Sequence, residues 1–246
     1  MPKLPVKYFK TVTEYAKYNW SGAIDKLYPV VKTVTKNFTR TDPVYVRIGE
    51  DGEPEIHYTM TQADGKKYFA SMDLGNATLY VRNGAVLTSC EGLFTHCYCK
   101  RIFLDSIGSS SHIESLFGLY GDWGKTSPLK EIGLFDTSGV TGSAYGFAQV
   151  QNSLTEIPAF DLSNVTDLLD FVLDCERIEQ FHCVGMKVSF KLSSTALKHD
   201  AILEVFNNLG TVDATAGITL TLGSYKLALM SDEEKAIATG KGWVLA

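Results

Sequence analysis

The chain has 246 residues, of which 45% are hydrophobic and 21% charged, and a formal charge of −5. A chain of that size and balance buries a substantial core in one or two domains and is no disordered polymer. Its 23 lysines and arginines are spread without a basic stripe, which argues against nucleic acid as a partner.

The start, Met1-Pro2-Lys3-Leu4-Pro5-Val6-Lys7, lacks the apolar centre of a secretory signal, and no later run approaches bilayer-spanning length. The expectation is a chain kept in a cytosol, with no membrane insertion. The five cysteines, Cys90, Cys97, Cys99, Cys175 and Cys183, are an odd number, which fits reduced thiols better than a disulfide framework.

Residues 1–86 read as a mixed, β-rich domain. Ile24, Leu27, Tyr28 and Val31 stand at helical spacing, although Pro29 interrupts them. From Pro43 the pattern turns to short apolar runs: Val44 to Ile48, Ile56 to Thr61, Tyr68 to Leu74 and Thr78 to Val81. Asp51-Gly52, Asp64-Gly65, Gly75-Asn76 and Asn83-Gly84 follow them in turn. Such dipeptides favour tight hairpins, so an antiparallel meander is expected.

Residues 87–192 carry a repeat. Leu129-Lys130-Glu131-Ile132-Gly133-Leu134-Phe135-Asp136-Thr137-Ser138-Gly139-Val140-Thr141 returns 25 residues later as Leu154-Thr155-Glu156-Ile157-Pro158-Ala159-Phe160-Asp161-Leu162-Ser163-Asn164-Val165-Thr166. A period of this size marks a solenoid, whose units bury their apolar faces on one another. Fainter units flank it: Gly92-Leu93-Phe94 with Cys97 and Ile102 before, and Phe171 with Cys175, Ile178 and Phe181 after. The step falls to 24 from Phe147 to Phe171, and longer spacing around Gly118 to Ser127 reads as a surface insertion.

Within the unit, Ile132, Ile157, Phe135 and Phe160 are expected to point inward. Gly139 and Asn164 share access to the left-handed region, so a positive φ is expected there. Ser163 is expected to open a short helical turn with Leu168, Phe171 and Cys175 on its inner face. Asp136 and Asp161 read as turn caps in preference to a catalytic pair.

Residues 193–246 close the stack. Ser193-Ser194-Thr195 precedes a helix from Ala196 to Leu209, stopped by Gly210. Ile218 to Leu222 alternates as a strand. Ser231-Asp232-Glu233-Glu234 has the capping-box pattern, and its helix ends at Gly240 before the apolar tail of Trp243, Val244 and Leu245.

Phe-Asp-x-Ser-x-Val-Thr, followed by a Phe, often a Cys, and then Leu-x-x-Ile-Pro, resembles the BspA-like leucine-rich repeat family over roughly residues 90–185. The ending, Leu220-Thr221-Leu222-Gly223 through Asp232-Glu233-Glu234, Ala236, Ala238 and Lys241-Gly242-Trp243, is similar to the closing segment of phage-encoded members. The chain departs from the pattern at Val150, where a Cys would stand. The three regions together give the expectation of an α+β chain: an N-terminal antiparallel β-rich domain, which the resemblance does not cover, then a short leucine-rich-repeat-like solenoid and a C-terminal α/β cap.

Other chemistry is poorly supplied. Gly121-Asp122-Trp123-Gly124-Lys125-Thr126-Ser127 imitates a phosphate loop, yet Leu119 stands where its first glycine belongs. His96-Cys97-Tyr98-Cys99 and His182-Cys183 could meet at zinc, although Cys-x-Cys is tighter than the usual ligand spacing and buried Cys is an ordinary filler. No nucleophile-elbow sequence accompanies His57, His96, His112, His182 or His199. Tyr8, Tyr15, Tyr18, Trp20, Tyr28, Tyr120 and Trp123 could stack on sugars or fill an interface, or be plain core.

No catalytic, cofactor or metal residues are therefore assigned. The resemblance implies a non-enzymatic bacteriophage virion protein, homo-oligomeric on the particle, whose partners are other virion proteins and a host-surface receptor or glycan. A bacterial surface adhesin and a glycan-active enzyme are the alternatives.

Overall fold

A computed structural model describes residues 44–83, 87–119 and 127–246. The helical spacing near Ile24, the Asn83-Gly84 turn, most of the phosphate-loop imitation and the aromatic residues from Tyr8 to Tyr28, with Tyr120 and Trp123, lie outside the described residues.

The described chain is mixed α/β with mostly strands. Strands β1 (Val44–Ile48), β2 (Pro54–Met60), β3 (Thr78–Asn83), β4 (Arg101–Leu104) and β5 (Glu131–Ile132) form one five-stranded sheet in chain order. β6 (Glu156–Ile157) pairs with β7 (Gln180–Phe181). β8 (Phe190–Lys191), β9 (Thr219–Thr221) and β10 (Val244–Leu245) make a third sheet in the order β10-β9-β8.

The expected antiparallel meander does not form. β1 and β2 are antiparallel, joined through the Asp51-Gly52 turn, but β2–β3, β3–β4 and β4–β5 are all parallel. Parallel neighbours need a long crossover, and residues 61–77 supply one between β2 and β3. Asp64-Gly65 is thus no hairpin: Asp64 Oδ1 accepts from Lys66 N, while Gly65 N donates to Ser89 O at 3.0 Å. Nor is Tyr68 to Leu74 a strand: turns run to Ser71, and Asp73 makes an isolated parallel bridge to Tyr98. β3 and β4, on either side of the boundary expected at 86, are neighbours in the one sheet.

The turn runs have their own pattern of bonding. Lys67, Phe69 and Ser71 donate their amides to the carbonyls of Glu91, Leu93 and Thr95. Gly92, Phe94 and His96 donate in the same way to Glu114, Leu116 and Gly118, and Ser115, Phe117 and Leu119 to Tyr145, Phe147 and Gln149. Each segment therefore satisfies alternate amides on the segment that follows it, which removes the cost of burying them. Matching places in these runs take positive φ: Lys67 (53°), Gly92 (60°), Ser115 (51°), Gly146 (61°) and Asp170 (55°).

Gly139 and Asn164, by contrast, are not among the positive-φ residues. They sit third in β-turns closed by Val140 N to Thr137 O (2.9 Å) and Val165 N to Leu162 O (3.2 Å), a place where ordinary negative φ serves. Asp136 and Asp161 brace those turns, each accepting the amide two residues on at 2.9 Å. That bond is the main reason the Asp136 carboxyl sits below the usual carboxylate range. The segment after Ser163 is likewise turns, not helix, though Leu168, Phe171 and Cys175 are buried as expected.

Inside, apolar side chains form rows across the segments. Ile56, Leu79, Ile102 and Ile132 stand side by side in register, all buried. A second row is aromatic. Phe69 and Phe94 stack at 5.3 Å, and Phe94 and Phe117 at 5.4 Å with planes 2° apart. At Phe147 the row turns edge-on to Phe117 (84°), then resumes with Phe171 stacked at 4.7 Å. The hydrogen-bond register explains the break: Phe117 donates to Phe147, whereas Ala148 is the residue that donates onward in its place. The aromatic residue has moved by one position, so its ring enters from a different angle. Phe135 and Phe160 also meet, with ring centres 4.7 Å apart.

The closing segment adds helices α1 (His199–Asn208), α2 (Ser224–Leu227) and α3 (Asp232–Thr239) and a short 3₁₀ turn at Ala214–Ala216. α1 buries Ile202, Val205 and Phe206. It begins three residues later than Ala196, and Lys198 at its N-cap makes no side-chain cap. Thr195, expected near that start, instead bonds Leu192 O at 2.6 Å. At the other end Lys241 Nζ donates to the carbonyls of Phe206, Asn207 and Leu209, covering groups that a helix end leaves bare. α3 has the full capping box between Ser231 and Glu234. Trp243 Nε1 donates to Gly210 O at 2.8 Å, and its ring meets Phe190 edge-on.

Candidate interaction surface

Strand alternation decides what the five-stranded sheet shows to solvent. In β2 the residues between the buried positions are only partly covered, and they include His57. Parallel register carries His57 onto Tyr80 and Tyr80 onto Phe103. The imidazole lies 4.5 Å from the Tyr80 ring with planes 14° apart, and Tyr80 lies 5.0 Å from Phe103 at 12°. Three half-buried rings thus form a flat stack on the outer face of the sheet. Burial pushes the Tyr80 hydroxyl up and the His57 imidazole down from their ordinary values; Glu55, whose Oε2 is 3.3 Å from His57 Nε2, opposes the second shift.

Charged groups hold one side of this row. Glu55 pairs with Arg47. Asp51, in the β1–β2 turn, reaches past β3 to Lys100 Nζ (2.9 Å) and Arg101 Nη1 (2.8 Å). Those cations, Lys100 foremost, hold its carboxyl far below the usual range. Arg101 Nε also lies 3.1 Å from Glu131, so its guanidinium is shared between two carboxylates. Thr78, in the strand that the turn passes over, is buried.

The row ends at Gly133, which follows β5 directly and donates its amide to Ile102 O at 2.8 Å. A Cβ on Gly133 would overlap the Phe103 ring, so glycine lets the ring lean over the backbone there. Beyond it the ladder lapses: among the described residues no backbone hydrogen bond joins 130–134 to 155–159. A groove of about 600 Å³ occupies this break. Phe103, Gly133, Pro158 and Ala159 line it, together with Glu131 and Glu156. Leu134, at the mouth, is 62% exposed. His182 also lines it, held by Glu204 at 2.6 Å and Gln180 at 3.1 Å.

Of the candidates read from the sequence, His182 lines this groove, whereas the aspartates and cysteines serve turns and packing. Asp136 and Asp161 accept the amides of their own turns. Cys97, Cys99 and Cys183 are buried; Cys99 Sγ lies 3.6 Å from Arg101 O and Cys183 Sγ 3.5 Å from Pro158 O. Burial raises the Cys90 thiol to about 11 and the Cys175 thiol to about 12, and pushes Cys99 and Cys183 up as well. Among the described residues no group of three or more His, Cys, Asp or Glu side chains is placed to hold a metal ion, and no helix is long and apolar enough to cross a membrane. The row His57–Tyr80–Phe103 was missed by sequence reasoning. Its signal was the recurrence of a ring after an apolar residue in Ile56-His57, Leu79-Tyr80 and Ile102-Phe103. Comparison with family models, curated proteins and solved structures returned no match.

Proposed function

We propose that the chain is a non-enzymatic adhesion module, a leucine-rich-repeat-like solenoid that binds through the outer face of its parallel strands. The single observation that carries this reading is the ring stack of His57, Tyr80 and Phe103 running into an open groove. Partly exposed aromatic rows are costly to leave in water, and they repay that cost at recognition surfaces. Among the described residues the groove is lined by neither serine nor cysteine, and its carboxylates Glu131 and Glu156 have side chains 52% and 56% exposed. A glycosidic general acid needs apolar enclosure instead.

The setting follows from the resemblance of the repeat and of residues 193–246 to phage-encoded BspA-like proteins. In this reading the module is a virion component, tail, fibre or decoration, with its amino-terminal region docked to the particle and residues 193–246 closing the stack. Two experiments test it. Peptides of this chain are expected in mass spectra of purified particles, and fluorescently labelled full-length chain is expected to coat cells of the host strain. Loss of coating in Tyr80→Ala with an unchanged melting temperature supports the outer face. Failure of the wild-type chain to coat cells, or release of reducing sugar from host polysaccharide, overturns the reading.

A further inference from the structure

We propose that Pro158 is a positioning residue that holds the groove open by breaking the outer ladder; the proposal rests on the adhesion reading and names what keeps its site accessible. The repeat shows what the ladder does elsewhere. Gly133 follows the residue paired with Ile102 and donates its amide to Ile102 O at 2.8 Å. Beyond the groove, His182 follows the residue paired with Ile157 and donates to Ile157 O at 3.0 Å. Pro158 stands between them in the repeat, 25 residues after Gly133 and 24 before His182. By the same rule its acceptor is Ile132 O, yet proline has no N–H to give. Its Cδ stands where the hydrogen would and needs more room against a carbonyl than a hydrogen bond allows.

A second bond lapses with the first. Lys130 N donates to Lys100 O and Glu179 N to Thr155 O, each at 2.8 Å. Thr155, their counterpart, has an N–H, but no backbone hydrogen bond joins it to Lys130. The lapse is local. Before it, Ser127 N donates to Asn152 Oδ1 at 2.8 Å; after it, Phe135 meets Phe160 and Thr137 Oγ1 donates to Asp161 O at 2.8 Å. The two segments touch at both ends of the gap, which places its cause inside the gap, where Pro158 lies. Ile132, Thr155 and Pro158 are all among the residues that line the groove. Bonds from Thr155 and residue 158 back to the preceding segment would draw the strands to ladder spacing, about 4.8 Å, and shut it. The outer face would then be one unbroken sheet from β1 to β7, with no recess beside the ring row to admit a ligand.

The test combines native amide exchange, read residue by residue by NMR on the full chain, with coating of host cells. In wild type, Thr155 is expected to exchange at least about tenfold faster than Gly133 and His182, whose amides are bonded. In Pro158→Ala the new amide should be protected, Thr155 should slow at least about tenfold, and coating should fall at least about tenfold. Residue 158 is only half-buried, and Pro158→Ser supplies the same N–H if Pro158→Ala fails to fold. Failure of both to fold overturns the view that proline serves there only to break the ladder. Slow exchange of Thr155 in wild type, or fast exchange of Thr155 and residue 158 in a folded variant, overturns Pro158 as the cause of the gap. Protection gained with coating undiminished overturns its role in binding. No coating by wild type instead overturns the adhesion reading, and the exchange result stands apart from it.

Discussion

Phe160 is the sharpest single probe of how the segments lean on one another. Its side chain is fully buried, its ring centre is 4.7 Å from Phe135 in the preceding segment, and it meets Phe147 edge-on at 5.5 Å. Phe160→Ala removes the transfer energy of a whole ring and leaves a cavity that three segments must span. The expected loss is about 3–5 kcal/mol. At about 2–4 °C per kcal/mol for a chain of this size, the melting temperature should fall by about 6–20 °C. Phe160→Leu keeps most of the volume and should cost under about 1.5 kcal/mol. Leu134→Ala, at a position 62% exposed, should stay within about 0.5 kcal/mol of wild type. Chemical denaturation followed by circular dichroism gives all three values. A Phe160→Ala chain as stable as wild type, or a Leu134→Ala chain that suffers equally, would refute the assignment of inside and outside.

Two further outcomes follow from titrating groups. His199 bridges α1 and α3, with Nδ1 2.8 Å from Asp200 and Nε2 2.8 Å from Glu234, and these bonds, Asp200 foremost, raise its pKa above 6.5. A raised folded value means the bridge contributes fully below pH 6.5 and is lost as pH rises through the folded pKa. The stability gap between wild type and His199→Gln should therefore be widest at about pH 5–6 and close on the alkaline side; a gap independent of pH contradicts the bridge. The five cysteines, all buried, should resist an aromatic disulfide reagent at neutral pH until denaturant is added. Rapid labelling of the native chain would show that the packing is wrong.

Some of this architecture is legible in the sequence because the physics there is local. The capping box of Ser231 and Glu234 needs only four residues, and α3 begins where it says. Ile132, Ile157, Phe135 and Phe160 recur at a fixed step, and all four are buried. The parallel pairing of β2 with β3 is not local: Gly65 finds its partner at Ser89, so an Asp-Gly pair that looks like a hairpin is part of a crossover. The left-handed positions are held by Lys67, Ser115 and Asp170 as well as by Gly92 and Gly146, so no glycine pattern marks them. At these places bonds to the neighbouring segment override local preference. The outer ring row was hidden for a related reason, since His57, Tyr80 and Phe103 are neighbours only once the strands run parallel.

The row exists only if the strands are parallel and in register, so a cross-link measures that directly. Tyr80 and Phe103 face each other on adjacent strands about 4.8 Å apart, within reach of a disulfide. His57 and Phe103 are separated by β3 and lie at about twice that distance. Under mild oxidation, Tyr80→Cys/Phe103→Cys should form an intramolecular disulfide visible by intact mass, and His57→Cys/Phe103→Cys should not. A bond in the second chain, or none in the first, would contradict the arrangement on which the binding face depends.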